Sequence, residues 1–121
     1  MCRELVRRGH RLYIATNAVA SVQRSRLKAC PFGDVFANAF ISEEAGAAKP
    51  HKAYYDYIRR RVPEITPENC LVIGDSLATD IRGANNAGLP CCWFNPAGEA
   101  EPEGLRIDFV ISDLRQLLDI V

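Results

Sequence analysis

Five positions in this chain of 121 residues carry groups suited to an anion and a hard metal ion: Thr16, Asn17, Lys49, Asp75 and Asp80. Thr16 offers a hydroxyl, Lys49 a point positive charge, and Asp75 a carboxylate for a cation such as Mg²⁺, which prefers carboxylate and water oxygens. Together they suit a phosphoryl dianion. A carboxylate approaching such a dianion is repelled by about 4 kcal/mol at ~4 Å and an effective dielectric of about 20, so chemistry there requires compensating positive charge. Singly, each residue has a plainer account. Thr16 or Asn17 is a common helix cap, Asp75-Ser76 could cap the next helix, Lys49 could be a solvated loop residue, and Asp80 could lie on an exposed helix face.

The surrounding sequence places these residues on one kind of scaffold. Short β-rich runs alternate with stretches of helical period, the pattern of an α/β fold with a parallel sheet flanked by helices. Cys2, Leu5, Val6 and Gly9 form a helical face, Leu12 to Ala15 reads as a buried strand, Ser21 to Cys30 as a helix and Phe40-Ile41 as a weaker strand. A helix over Lys52 to Val62 puts Tyr54, Tyr57, Ile58 and Val62 on one side, before the turn signal Pro63-Glu64-Ile65-Thr66-Pro67. Cys70 to Ile73 is a strand leading into Gly74-Asp75-Ser76; Leu77, Ile81 and Ala84 follow at helical spacing, and Gly88 suits the stop. Cys91 to Phe94 and Phe109 to Ile111 are strands around an Asn95 to Gly104 loop, and Leu114, Leu117, Leu118 and Val121 give an amphipathic terminal helix. Tyr54, Tyr57, Trp93 and Phe94 are read as core. In open parallel sheets ligands gather beyond the carboxyl ends of the strands. Thr16-Asn17, Asp75-Ser76 and Asn95 each follow a strand directly, and Lys49 sits in the loop after Ile41. No linker divides the chain, so residues 1–121 are expected to form one domain.

In this order the segments resemble the haloacid dehalogenase superfamily: Ala15-Thr16-Asn17 its second motif, Lys49-Pro50 its third, and Gly74-Asp75-Ser76 with Asp80 its fourth. Within it, the stretches Ile41 to Pro50, Asp75 to Ile81 and Cys92-Trp93-Phe94-Asn95 resemble the nucleotidases active on pyrimidine nucleoside monophosphates. The resemblance implies a Rossmann-like core and a Mg²⁺-dependent hydrolase of a small phosphomonoester that reacts through an aspartyl-phosphate. It implies that Thr16, the Asn17 backbone N–H and Lys49 hold phosphate, with Thr16 and Lys49 serving catalysis. Asp75 and Asp80 would serve the metal, Asp80 by holding a metal-bound water or orienting its neighbours. The dehalogenases that name the superfamily need no metal and lack this aspartate pair, so phosphoryl transfer is preferred.

The family's first motif, Asp-x-Asp, supplies the nucleophile and the acid-base aspartate, and it does not occur here: Asp34 and Asp108 lack a second Asp two positions on. The resemblance puts the missing strand at the centre of the sheet, between the strands ending at Thr16 and Asp75, with the substrate-selecting cap inserted after it. The chain is therefore expected to be the C-terminal part of a longer core and catalytically incomplete alone, with an open strand edge that could self-associate. The rival expectation is a non-catalytic module that keeps a phosphate and Mg²⁺ site for regulation or partner recognition.

Composition narrows the classes further. Fifteen basic and fifteen acidic residues cancel, so no overall field favours nucleic acid, and Arg59-Arg60-Arg61 is read as a solvated helix face. A 48% hydrophobic content fits a chain with a real core, while the apolar runs are too short for a membrane span and Met1 opens no signal pattern, so a cytoplasmic location is expected. Cys2, Cys30, Cys70, Cys91 and Cys92 have no Cys-x-x-Cys spacing and read as reduced core thiols, and His10 and His51 stand apart from other zinc-type ligands.

Overall fold

The computed structural model describes residues 2–17 and 36–121, and every strand pairing among them is parallel. The chain divides into two compact units, Met1–Ala48 and Lys49–Val121. The expected helix Ser21 to Cys30, and Asp34, lie outside the described residues.

In the first unit, helix α1 (Cys2–Arg7) buries Leu5, while Val6 stays exposed. Gly9 follows with φ of 94°, a left-handed value that glycine adopts without a Cβ penalty. Strand β1 (Leu12–Thr16) pairs with β2 (Phe36–Ile41), setting Thr16 beside Ile41. β1 is half-buried rather than buried as expected, with Ala15 exposed, because β2 is its only strand neighbour among the described residues. β2 is longer than the expected Phe40-Ile41, since pairing with β1 recruits Ala37-Asn38-Ala39, residues of weak intrinsic strand preference. Ala39, Phe40 and Ile41 are buried, and the Phe40 ring lies 5.7 Å from that of Tyr13. Helix α2 (Ser42–Ala45) follows and closes on Gly46 at φ of 72°.

The second unit carries helix α3 (Lys52–Arg61), then β3 (Val72–Gly74), β4 (Cys91–Phe94) and β5 (Phe109–Ile111) in the sheet order β3-β4-β5. Between β3 and β4 a wide turn over Leu77–Ile81 runs into helix α4 (Arg82–Ala87), which Gly88 stops at φ of 70°. Ile81, Ala84, Cys91 and Trp93 form a closed core, with Val72, Leu77, Leu105 and Ile107 packed on it. β1 and β3 are thus both edge strands among the described residues, the two that the family resemblance sets beside a central strand.

Three core expectations are corrected. On α3 the structure buries Tyr54 and Tyr55, leaving Tyr57 half-buried beneath the Arg61 guanidinium, 4.9 Å from the ring centroid. The cause is Gly83: a Cβ there would lie 2.6 Å from the Tyr55 ring, so the missing side chain makes the space that ring fills. The terminal helix splits into a short 3₁₀ turn, Leu114–Gln116, and helix α5 (Leu117–Ile120). That change of pitch breaks the expected stripe, burying Leu117 but exposing Leu114 and Val121. Phe94 is half-buried, whereas Trp93 is only 1% exposed. Among the described residues no helix is long and apolar enough to cross a membrane, and Cys2, Cys70, Cys91 and Cys92 form no disulfide.

Candidate active site

The strands of the second unit end at Gly74, Phe94 and Ile111 on one edge of their sheet, and Asp75, Asn95 and Ser112 follow directly from it. Asp75 follows β3 at once and is exposed; none of the hydrogen bonds or ion pairs resolved among the described residues engages its carboxylate. Ser76 caps the next turn, its hydroxyl accepting the Thr79 N–H at 3.3 Å, so the capping account of Asp75-Ser76 holds for the serine. The Ser76 carbonyl accepts both Asp80 N–H at 2.9 Å and Ile81 N–H at 3.1 Å, the second spanning five residues. Such a widened turn rotates the residues within it relative to a regular helix. Here the widening accompanies an Asp80 that faces back toward the strand end.

Asp80 is neither exposed nor idle. One carboxylate oxygen accepts the Lys49 ammonium at 2.6 Å and the other accepts the Ser76 backbone N–H at 3.2 Å. The two side chains are only 10% and 12% exposed, so the solvated-loop account of Lys49 and the exposed-face account of Asp80 both fail. Burying such a pair requires close geometry and further hydrogen bonds to offset desolvation, and the Ser76 amide supplies one. Gly74 makes the approach possible: a Cβ there would lie 2.2 Å from Asp80 Oδ2, so any larger residue must displace the carboxylate. The loop carrying Lys49 is held by Asn86, whose Nδ2 donates to the Pro50 carbonyl at 2.9 Å.

In the first unit, Thr16 closes β1 and Asn17 follows it, both at the carboxyl end of that strand, with Thr16 partly and Asn17 fully exposed. Asn95, at the end of β4, closes its own loop: Nδ2 donates to the Glu99 carbonyl at 2.8 Å and Oδ1 accepts the Glu99 N–H at 3.0 Å. Asp108 accepts the Cys91 N–H at 2.9 Å, at the amino end of β4 and thus away from the Asp75 edge.

Spacing did not reveal four parts of this arrangement. Gly74 stands in the sequence only as part of a motif, and its close approach to Asp80 emerges from the fold. Asn86 lies 36 residues from the carbonyl it holds, and Trp93, whose Nε1 donates to the Asp75 carbonyl at 3.2 Å, lies 18 away. Tyr55 is buried, and its hydroxyl has no hydrogen-bond partner among the described residues. Burial pushes its phenol well up, helped by the nearby charge of Asp80.

Among the described residues no group of three or more His, Cys, Asp or Glu stands together as a ready metal cage. The donor set still suits Mg²⁺, which keeps several waters and is commonly held by one or two carboxylates plus a substrate phosphate. Asp75 offers an available carboxylate, while Asp80 already serves Lys49 and Ser76.

A parallel-stranded α/β fold here carries an Asp-bearing turn after one strand with a lysine paired into it, and the chain belongs to the haloacid dehalogenase-like hydrolase family, whose model matches residues 1–88. It is 38% identical over 110 residues to the HAD-hydrolase YfnB of Bacillus subtilis, covering 91% of this chain and 47% of that protein. A crystal structure of YfnB bound to magnesium superposes with a TM-score of 0.92 at 35% identity, over 98% of this chain and 52% of that one. The pyrimidine 5'-nucleotidase PynA of Streptococcus pneumoniae is 39% identical over 92 residues, 76% of this chain and 39% of that protein. The pyrimidine 5'-nucleotidase YjjG of Escherichia coli is 35% identical over 112 residues, 93% of this chain and 50% of that protein. The chain thus spans about half the length of the curated relatives it matches.

Proposed function

We propose that this chain is the phosphate- and Mg²⁺-binding part of a phosphomonoester hydrolase acting on nucleoside 5'-monophosphates. The observation that carries the reading is the buried Lys49–Asp80 pair beside Asp75, at the carboxyl end of β3. Two relatives named as pyrimidine 5'-nucleotidases support the substrate class, and the magnesium-bound neighbour supports the metal.

In this reading Lys49 sets its ammonium against phosphoryl oxygens, and Asp80 fixes its position and keeps the charge in a poorly solvated place. In the first unit, the Thr16 hydroxyl and the Asn17 backbone N–H are the phosphate donors that the family resemblance implies. Asp75 would hold Mg²⁺, with Asp80 orienting the surroundings or a water on the metal; the ion supplies charge that offsets repulsion between the phosphate and its attacker. The attacking group would be an aspartate of an Asp-x-Asp segment, giving an aspartyl-phosphate that water then cleaves. These residues contain no such segment, so the expected turnover of the chain alone is near zero.

The test is phosphate release from nucleoside monophosphates with Mg²⁺, using this chain alone and the chain joined to an upstream Asp-x-Asp segment. Turnover only in the joined protein, lost with Lys49→Ala, is the expected result. Equal turnover in both would refute the need for the segment. Phosphate binding without turnover in the joined protein would replace the enzyme reading with a regulatory module.

A further inference from the structure

We propose that Trp93 is a positioning residue for Asp75, an inference that rests on the reading of Asp75 as the metal-holding carboxylate. β4 is the middle strand of its sheet and sets Trp93 directly beside Gly74, one residue before Asp75. The indole is 1% exposed, so its single N–H must find a partner inside the protein, and it finds the Asp75 carbonyl at 3.2 Å. The other end of the same peptide group is also held, because the Ser76 N–H donates to Asp80 Oδ2 at 3.2 Å.

The Asp75–Ser76 peptide is thus clamped at its oxygen by Trp93 and at its nitrogen by Asp80. Rotation of that peptide would swing the Asp75 side chain, and each clamp opposes it. The clamp is continuous with the phosphate side of the site, since Asp80 also takes the Lys49 ammonium. Trp93 belongs to the buried core cluster with Ile81, Ala84 and Cys91, whose packing restrains the indole. One rigid aromatic group therefore ties the orientation of an exposed carboxylate to the closed core. Glycine at 74 makes this tie more important, because Asp75 follows a residue with no side chain of its own to restrain the turn.

A residue of this kind orients a ligand without touching the metal, and loss of such a partner costs about tenfold or more in metal affinity. Trp93 is also the only tryptophan of the chain, so its emission comes from the site itself. The test is Mn²⁺ binding to the 121-residue chain, followed by electron paramagnetic resonance, with Mg²⁺ titrated in parallel by tryptophan fluorescence. The wild-type chain should bind Mn²⁺, Asp75→Asn should lose that binding, and Trp93→Phe should weaken it about tenfold. Ile111→Val, a buried change on β5, serves as the packing control and should leave the affinity unchanged. In the wild type the fluorescence midpoint should follow Mg²⁺ occupancy, with no response in Asp75→Asn.

Equal Mn²⁺ affinity in wild type and Trp93→Phe would overturn the positioning role and leave Asp75 as the ligand. Absence of Mn²⁺ binding in the wild type, or undiminished binding in Asp75→Asn, would overturn the Asp75 reading and this inference with it. Should Trp93→Phe fail to fold, benzothienylalanine at position 93 keeps the shape, removes the N–H and decides between the same outcomes.

Discussion

Lys49 and Asp80 illustrate why a buried ion pair is a poor device for stability alone. Their mutual attraction only roughly offsets the loss of water, yet removing one partner strands a charge, at a cost of about 3 kcal/mol. Asp80→Ala should therefore lower unfolding free energy by about that amount in urea titrations, whereas Lys49→Met with Asp80→Leu should recover most of it. A double variant as unstable as the single would show that the pair is retained for stability. Tyr55 gives a second prediction at this scale. Its buried hydroxyl finds no partner among the described residues, and an unsatisfied buried donor costs about 1 kcal/mol or more, so Tyr55→Phe should raise the thermal midpoint. A fall in the midpoint would show that the hydroxyl is satisfied. The residue types at 16, 49, 75 and 80 stand out in the sequence because a hydroxyl, a lysine and two aspartates follow successive strand-like runs in the order of the family's motifs. Their partners do not, since Trp93 and Asn86 are joined to them only through the fold.

The strands of the second unit were legible because Cys91 to Phe94 and Phe109 to Ile111 are apolar runs between turn residues, and both fall where expected. The helices were less so. On α3 the choice between Tyr55 and Tyr57 is made by a glycine some 30 residues away, which no helical period can reveal. The widened turn at Leu77–Ile81 is equally hidden, because its sequence also suits a regular helix. β4 yields a prediction about its thiols. Cys91 and Cys92 are fully buried, and burial pushes both thiols up, that of Cys92 to about 11. For a thiol whose pKa is raised from 9.0, the stabilising contribution is full below that value and lost as pH rises through about 11. At pH 8, iodoacetamide followed by peptide mass analysis should therefore label Cys2, which is only partly buried, well before Cys91 or Cys92. Comparable labelling rates would mean that β4 opens readily.

At the scale of the molecule, family membership rests on residues 1–88 and on relatives about twice as long as this chain. The fold class was legible because strand and helix periods alternate from one end to the other. Among the described residues β1 and β3 each lie at an edge of their sheet. The central proposal is that Lys49 and Asp75, both of the second unit, act on one phosphate beside one metal ion. Calorimetric titration of inorganic phosphate with and without Mg²⁺ tests that proposal most directly. The account predicts that Mg²⁺ tightens phosphate binding, that Lys49→Ala weakens it, and that Asp75→Asn abolishes the Mg²⁺ effect alone. Phosphate affinity indifferent to Mg²⁺ and to both substitutions would contradict it.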